Sequence, residues 1–196
     1  MTLTPTSSQT VGPFFHLGVS FLTREHLEAR GISGQLVMIR GRVLDGDGKP
    51  LPDALLEIWQ ADAAGRYVAD RPEGSSSPPF QGFGRVETDQ DGTFCFTTVK
   101  PGPVPHLDGG MQAPHIVVTV FSRGLLKPLW TRLYFPDEPG NAVDPILKLV
   151  PSERRTTLIA RRSGESAGNS LEDSRESILE WNVVMQGDGE TVFFDY

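Results

Sequence analysis

Residues 36–62 read LVMIRGRVLDGDGKPLPDALLEIWQAD, an apolar run, a loop of Asp, Gly and Pro, and a second apolar run. Side chains on a strand alternate faces with a period of two, and both runs suit strands, with Asp45-Gly46-Asp47-Gly48 as a turn whose glycines can take positive φ. The next strand pair repeats the pattern: residues 85–88, a turn at Asp91-Gly92, then residues 93–99 with Phe94 and Phe96 on one face and Cys95 on the other. The spacing predicts two hairpins. Strands separated by such turns, with little helical periodicity, point to an all-β sandwich rather than a parallel α/β sheet. Between the hairpins, residues 62–84 carry ADRPEGSSSPPFQGFG, which reads as a long surface loop of the kind that often carries function.

Downstream, APHIVVTVFSR places His115, Val117 and Thr119 on one strand face and Ile116, Val118 and Val120 on the other. A second histidine at i+2 would converge with the first on a metal, but that place is Val117. In LKPLWTRLYF, Leu129, Thr131, Leu133 and Phe135 share one face, and Arg132 stands between Trp130 and Tyr134 on the other. That face is either an exposed sheet surface with cation–π contacts or a guanidinium held out for an anion. Residues 152–159 suit a short helix with Ser152 as N-cap, residues 163–176 are polar and read as a flexible insertion, and the chain closes with ILEWNVVMQG and ETVFFDY as two strands. At the other end, residues 1–18 form an arm in which no regular element explains Phe14, Phe15 and His16, and Thr23 suits the cap of a short helix ending near Glu28. The organisation expected is an arm and short helix over residues 1–34 and a single sandwich domain over residues 35–196.

The chain has 196 residues, a net charge of −7 and a pI near 5.1, with no basic stripe for nucleic acid. Nothing resembles a signal peptide or an apolar membrane span, and the single cysteine, Cys95, suits a reducing compartment, so a cytoplasmic protein is expected. On its alternating strand Cys95 reads as a buried, inert thiol rather than a reactive one. The metal-ligating candidates are His16, His26, His106 and His115, with Tyr67, Tyr134 and Tyr196 if phenolates count; no H-x-H, C-x-x-C or G-x-S-x-G element is present. A lone strand histidine is more often a hydrogen-bonded core residue than a ligand.

Together, SQTVGPFF (residues 8–15), LLEIWQADAAGRY (55–67), DQDGTFCFTTVKPG (89–102), APHI (113–116), TRLYF (131–135) and ETVFFDY (190–196) make the chain similar to the intradiol ring-cleavage dioxygenases. The resemblance implies that family's immunoglobulin-like or transthyretin-like β-sandwich, with long loops, an N-terminal arm and one or two short helices. It also implies O2-dependent cleavage of an aromatic diol at Fe(III), which the family holds with two tyrosines and two histidines. The G-x-Y element matches Gly65-Arg66-Tyr67. The G-P-Y-P element has become Gly102-Pro103-Val104-Pro105, and R-P-A-H-I-H has become Gln112-Ala113-Pro114-His115-Ile116-Val117, so two of the four ligand positions carry valine.

The resemblance therefore implies a non-catalytic alpha-type chain that binds no metal, with Tyr67, Val104, His115 and Val117 as vestigial positions. Fe(III) would belong to a beta-type partner subunit in a hetero-oligomer. Thr10, Gly12 and Pro13 would line the substrate pocket, and Arg132 would meet the carboxylate of protocatechuate. Two alternatives stay open: a self-sufficient iron dioxygenase in which His106 or His16 completes Tyr67 and His115, and a non-enzymatic sandwich module that binds carbohydrate or protein.

Overall fold

The computed structural model describes residues 7–12, 14–27, 33–70, 80–163 and 176–195. The two apolar runs of residues 36–62 are strands, β1 (Leu36–Leu44) and β2 (Leu55–Trp59), but they lie in different sheets. The next two, β3 (Phe83–Glu87) and β4 (Thr93–Val99), are likewise split, with β3 paired to β2 and β4 paired to β1. The two predicted hairpins are thus arches that carry the chain from one sheet to the other. Two short strands, β5 (Val104–Pro105) and β6 (Met111–Gln112), pair only with each other before β7 (His115–Phe121) and β8 (Leu129–Tyr134) complete the first sheet. Its order is β3-β2-β7-β8, all antiparallel.

In the second sheet β1 is central. β4 runs antiparallel along one edge, while β10 (Glu176–Glu180) and β11 (Val183–Val184) share the other edge in parallel, and β9 (Arg161–Arg162) pairs with β10. Between β10 and β11 the Trp181 carbonyl oxygen comes so close to β1 that it would lie 1.7 Å from a Cβ at position 41. Gly41 is required there because any side chain would collide with main chain. The sheets face each other across Leu56, Ile58, Ile116, Val118 and Leu133 from one and Val37, Ile39, Phe94, Phe96 and Leu179 from the other, all part of one buried cluster.

One loop chemistry builds three of the turns. Asp45, Asp62 and Asp89 each start an Asp-x-x-Gly-x segment in which one carboxylate oxygen accepts from the N–H groups two and four residues on, at 2.8–3.0 Å. The glycine three residues on has φ of +75°, +75° and +67° respectively. An aspartate supplies the acceptors that the turning backbone lacks, and glycine supplies the left-handed step.

Several sequence expectations give way. Thr23 ends a 3₁₀ turn (Ser20–Leu22) instead of starting a helix, and residues 24–27 run extended, with Arg24 bridging Arg85 of β3 and His26 bridging Thr97 of β4. Burial of Leu27 between the sheet edges favours this extended path over a short helix. The helix α1 (Phe14–Val19) instead lies in the expected arm. After α2 (Pro145–Leu149), residues 152–157 form a 3₁₀ helix in which the Ser152 hydroxyl bonds Glu153 and caps nothing. Of ETVFFDY, the described residues 190–195 form no strand of their own; Phe194 makes a single bridge to Trp130. The buried thiol expected at Cys95 is instead exposed, because Phe94 and Phe96 fill the core face of β4 and the opposite face, which carries Cys95, is turned to solvent. Phe80 at the end of the long loop is core and Phe83 begins β3, while residues 71–79 and the 163–176 insertion, from 164 to 175, lie outside the described residues. No helix among the described residues is long and apolar enough to cross a membrane.

The glycine requirement is testable. At Gly65, φ +75°, an added Cβ would meet the Pro103 carbonyl oxygen at 2.0 Å, whereas at Gly48, also φ +75°, nothing lies within 4 Å. Gly48→Ala should cost about 1–2 kcal/mol for the left-handed backbone alone. Gly65→Ala should exceed it by about 1–3 kcal/mol of overpacking, read as a lower urea midpoint.

Candidate functional site

The face of the first sheet turned away from the core collects the residues that the sequence singles out. Cross-strand partners share a face, and the register aligns Trp59, Val117 and Arg132 in one row and His115 and Tyr134 in the next. Their neighbours Ile58, Val118 and Thr131 point the opposite way, into the core side. Tyr67 leaves its Asp-x-x-Gly loop and stacks flat on Trp59, with ring centroids 6.0 Å apart. Val104 is buried on the β5–β6 hairpin, paired with Gln112.

The centre of this face is a cation. Arg132 is 8% exposed, and its Nη1 donates to Gln112 Oε1 at 2.8 Å, with the Tyr134 hydroxyl a longer 3.5 Å away. The guanidinium lies 6.0 Å from the Phe194 ring centroid. Of the two aromatics that flank Arg132 in sequence, Tyr134 meets it through oxygen, and the ring face comes from Phe194 at the end of the chain.

Beneath it lies a carboxylate. Asp144 is fully buried and caps α2, its Oδ1 accepting from Ile146 N at 2.9 Å and Leu147 N at 2.8 Å. Its Oδ2 accepts from Ala113 N at 2.7 Å, and the Tyr134 hydroxyl donates to Oδ1 at 3.3 Å. Burial is the main cause that raises the Tyr134 hydroxyl far above its usual pKa; Arg132 opposes the shift and Asp144 adds to it. The phenol therefore stays protonated.

His115 is held neutral for a related reason. Burial first, and then the Arg132 cation, lower its pKa to about 4, against the raising effects of its Ala113 hydrogen bond and of Asp144. A carbonyl only accepts, so the 2.8 Å contact between His115 Nδ1 and Ala113 O fixes the Nδ1–H tautomer.

Other candidates lie apart. Thr10 Oγ1 accepts from Gly124 N at 2.9 Å, beyond the far end of β7 from His115. A strand of that length spans about 20 Å. Gly12 is exposed, and Pro13 and the side chain of His16 are outside the described residues. His26 Nδ1 meets Thr97 Oγ1 at 2.8 Å, and His106 Nδ1 accepts from Asp108 N in the β5–β6 turn. Among the described residues no group of three or more His, Cys, Asp or Glu is placed to hold a metal. Sequence reasoning missed Asp144 and Phe194 as parts of this cluster. Asp144-Pro145 carries the N-cap signature of a helix, a usable signal, whereas Phe194 reaches Arg132 only through tertiary packing.

A family model described as Dioxygenase matches residues 12–187. The chain belongs to the intradiol dioxygenase family. It is 43% identical over 206 residues to the protocatechuate 3,4-dioxygenase alpha chain of Burkholderia cepacia, covering 99% of this chain and 98% of that one. It is 34% identical to the beta chain of the same enzyme from the same organism, over 92% of this chain and 75% of that one. Among solved structures, the dioxygenase domain of a dioxygenase carbohydrate-binding fusion from Streptomyces sp. SirexAA-E superposes with a TM-score of 0.63 at 27% identity, over 84% of this chain and 88% of that one. The intradiol dioxygenases are an iron-dependent family, and this member has the β-sandwich expected of it.

The pKa of His115 predicts how stability follows pH. Its folded value, about 4, lies below the unfolded 6.5, so its contribution is present above pH 6.5 and lost as pH falls towards 4. The loss should approach about 3 kcal/mol, and His115→Gln should flatten that part of the pH profile in urea unfolding.

Proposed function

We propose that this chain is the alpha subunit of a protocatechuate 3,4-dioxygenase, and that it supplies structure and substrate-binding groups to an iron centre carried by a beta-type partner. The likeness to an alpha chain over nearly the whole length of both proteins supports the assignment. The observation that carries the chemistry is Arg132, a nearly buried guanidinium whose charge is little screened by water. A planar fork in such a place suits the carboxylate of protocatechuate, which has to arrive with both hydroxyls directed at the reacting centre. Thr10 and Gly12 are exposed on an arm tethered at Gly124 and are available to line a pocket completed by the partner; Pro13 belongs to the same proposal.

The residues present do not suit a ferric ion of this chain's own. Val104 and Val117 have no donor atoms, the Tyr67 ring is stacked on Trp59, and the Arg132 cation bears on the one histidine at the place. A metal there would meet repulsion where it needs anionic ligands. We assign Fe(III), which the family uses to activate the diol and O2, to the partner, and place the complex in the cytoplasm, where Cys95 stays reduced.

In the complex with a beta-type chain, Arg132→Ala should raise KM for protocatechuate about 10- to 100-fold, the scale of a lost charged hydrogen-bonded pair. Catechol, which lacks the carboxylate, should respond much less. Equal effects on both substrates would refute the role of Arg132. Metal analysis of the chain expressed alone should find no stoichiometric iron, and a tyrosinate-coloured ferric protein would refute the assignment of iron to the partner.

A further inference from the structure

Residues 1–23 contain no Asp, Glu, Lys or Arg, although charged residues make up 22% of the chain. A segment suited to water normally carries charge, whereas the centre of a protein–protein interface is depleted of it and enriched in aromatic side chains. This segment holds Phe14, Phe15 and Phe21. Of its described side chains, Leu17, Phe21 and Leu22 are 65%, 79% and 47% exposed. None of residues 20–22 is buried, and nothing packs within 4 Å of a Cβ placed at Gly18. Three large apolar side chains in succession therefore face water instead of this chain's own core, which is the mark of a surface that a partner covers.

The segment is fastened on both sides. After it, Arg24 N donates to Arg85 O at 2.7 Å, Arg85 N donates back to Arg24 O at 3.2 Å, and Leu27 N donates to Thr97 O at 2.9 Å. Before it, the Thr10 hydroxyl accepts from Gly124 N at 2.9 Å. Arg85 belongs to the edge strand β3 and Gly124 to the turn between β7 and β8, so both ends meet the border of the sheet whose outer face carries Arg132. Side chains held in this way lose little freedom when a partner arrives.

We infer that Leu17, Phe21 and Leu22 form an assembly contact, the apolar surface on which the beta-type partner docks. The inference rests on the reading of this chain as the alpha subunit. Two features select that occupant. Thr10 and Gly12, the arm residues proposed to line the shared pocket, lie five to twelve residues before these side chains, so a partner that reaches the tip of the arm meets the apolar surface next. A second copy of the chain fits less well, because two molecules of net charge −7 repel each other.

The test is the Kd between the full chain and a beta-type chain, followed by sedimentation. Leu17→Ser with Phe21→Ser should raise it about 100-fold or more, the scale of lost apolar anchors, while the urea midpoint of the chain alone stays where it was because neither side chain packs on the core. If the parent chain binds and the double variant binds equally well, the inference is overturned and the reading of the chain as an alpha subunit stands. If the parent chain forms no complex, that reading falls. A chain that dimerises by itself, and whose dimer the double variant dissociates without weakening the beta-type complex, also overturns the inference, since the occupant is then a second copy. Should the double variant unfold, Ser20→Cys in a Cys95→Ser chain decides the matter by thiol alkylation: the exposed position should react freely in the separate chain and be protected in the complex, and equal reaction in both overturns the inference.

Discussion

The outer face of the first sheet depends on one buried carboxylate. Asp144 is cut off from solvent, yet it accepts from three backbone N–H groups, at Ala113, Ile146 and Leu147, and takes the Tyr134 hydroxyl as well. A buried carboxylate is tolerable only when its lone pairs are filled in this way, and a site so completely filled admits little movement. The three N–H groups come from two segments far apart in sequence, so Asp144 fastens the start of α2 to the residue that leads into β7. Gln112 and His115 stand on either side of that fastening, and Arg132 lies over it. Truncation of Asp144 would strand those donors and loosen the whole cluster together.

The electrostatics of the cluster follow from that arrangement. Arg132 and Asp144 are a buried cation and anion joined through a neutral phenol, and burial keeps Tyr134 protonated and His115 uncharged around them. Valines at 104 and 117 stand where the resemblance to iron-bearing relatives would put a phenolate and an imidazole. On the proposed assignment of iron to the partner, the guanidinium on this face sits among valines rather than metal ligands. The proposed role in substrate orientation uses the charge that the fold has already desolvated.

Much of the architecture was legible in the alternation of apolar residues. β1, β2, β4, β7 and β8 fall where the period of two puts them, and Phe94/Phe96 and Ile116/Val118 face the core as their spacing requires. The pairing of those strands was not. An Asp-x-x-Gly loop makes the same local hydrogen bonds whether its flanking strands stay in one sheet or cross to another: the Asp89 loop crosses, whereas the Asp45 loop first turns back along β1, with Pro50 bridging Leu44, before the chain crosses to β2. The short helix expected after Thr23 failed for a related reason, since pairing with two sheet edges outweighs the weak propensity of one helical turn. The exposure of Cys95 was not legible, because alternation shows only that it opposes Phe94 and Phe96 and not whether anything covers that side.

What the sequence by itself determined is the family and the all-β sandwich, because those depend on residue identity and on spacing along the chain. What only the tertiary structure decided is the company that Arg132 keeps. Tyr134 is its neighbour two residues on along β8, but Gln112, Phe194 and, through Tyr134, Asp144 come from separate elements, Phe194 62 residues away along the chain. No periodicity encodes the meeting of those three with Arg132; it exists because β5–β6, α2 and the chain's end pack over one face of the sheet that holds β8.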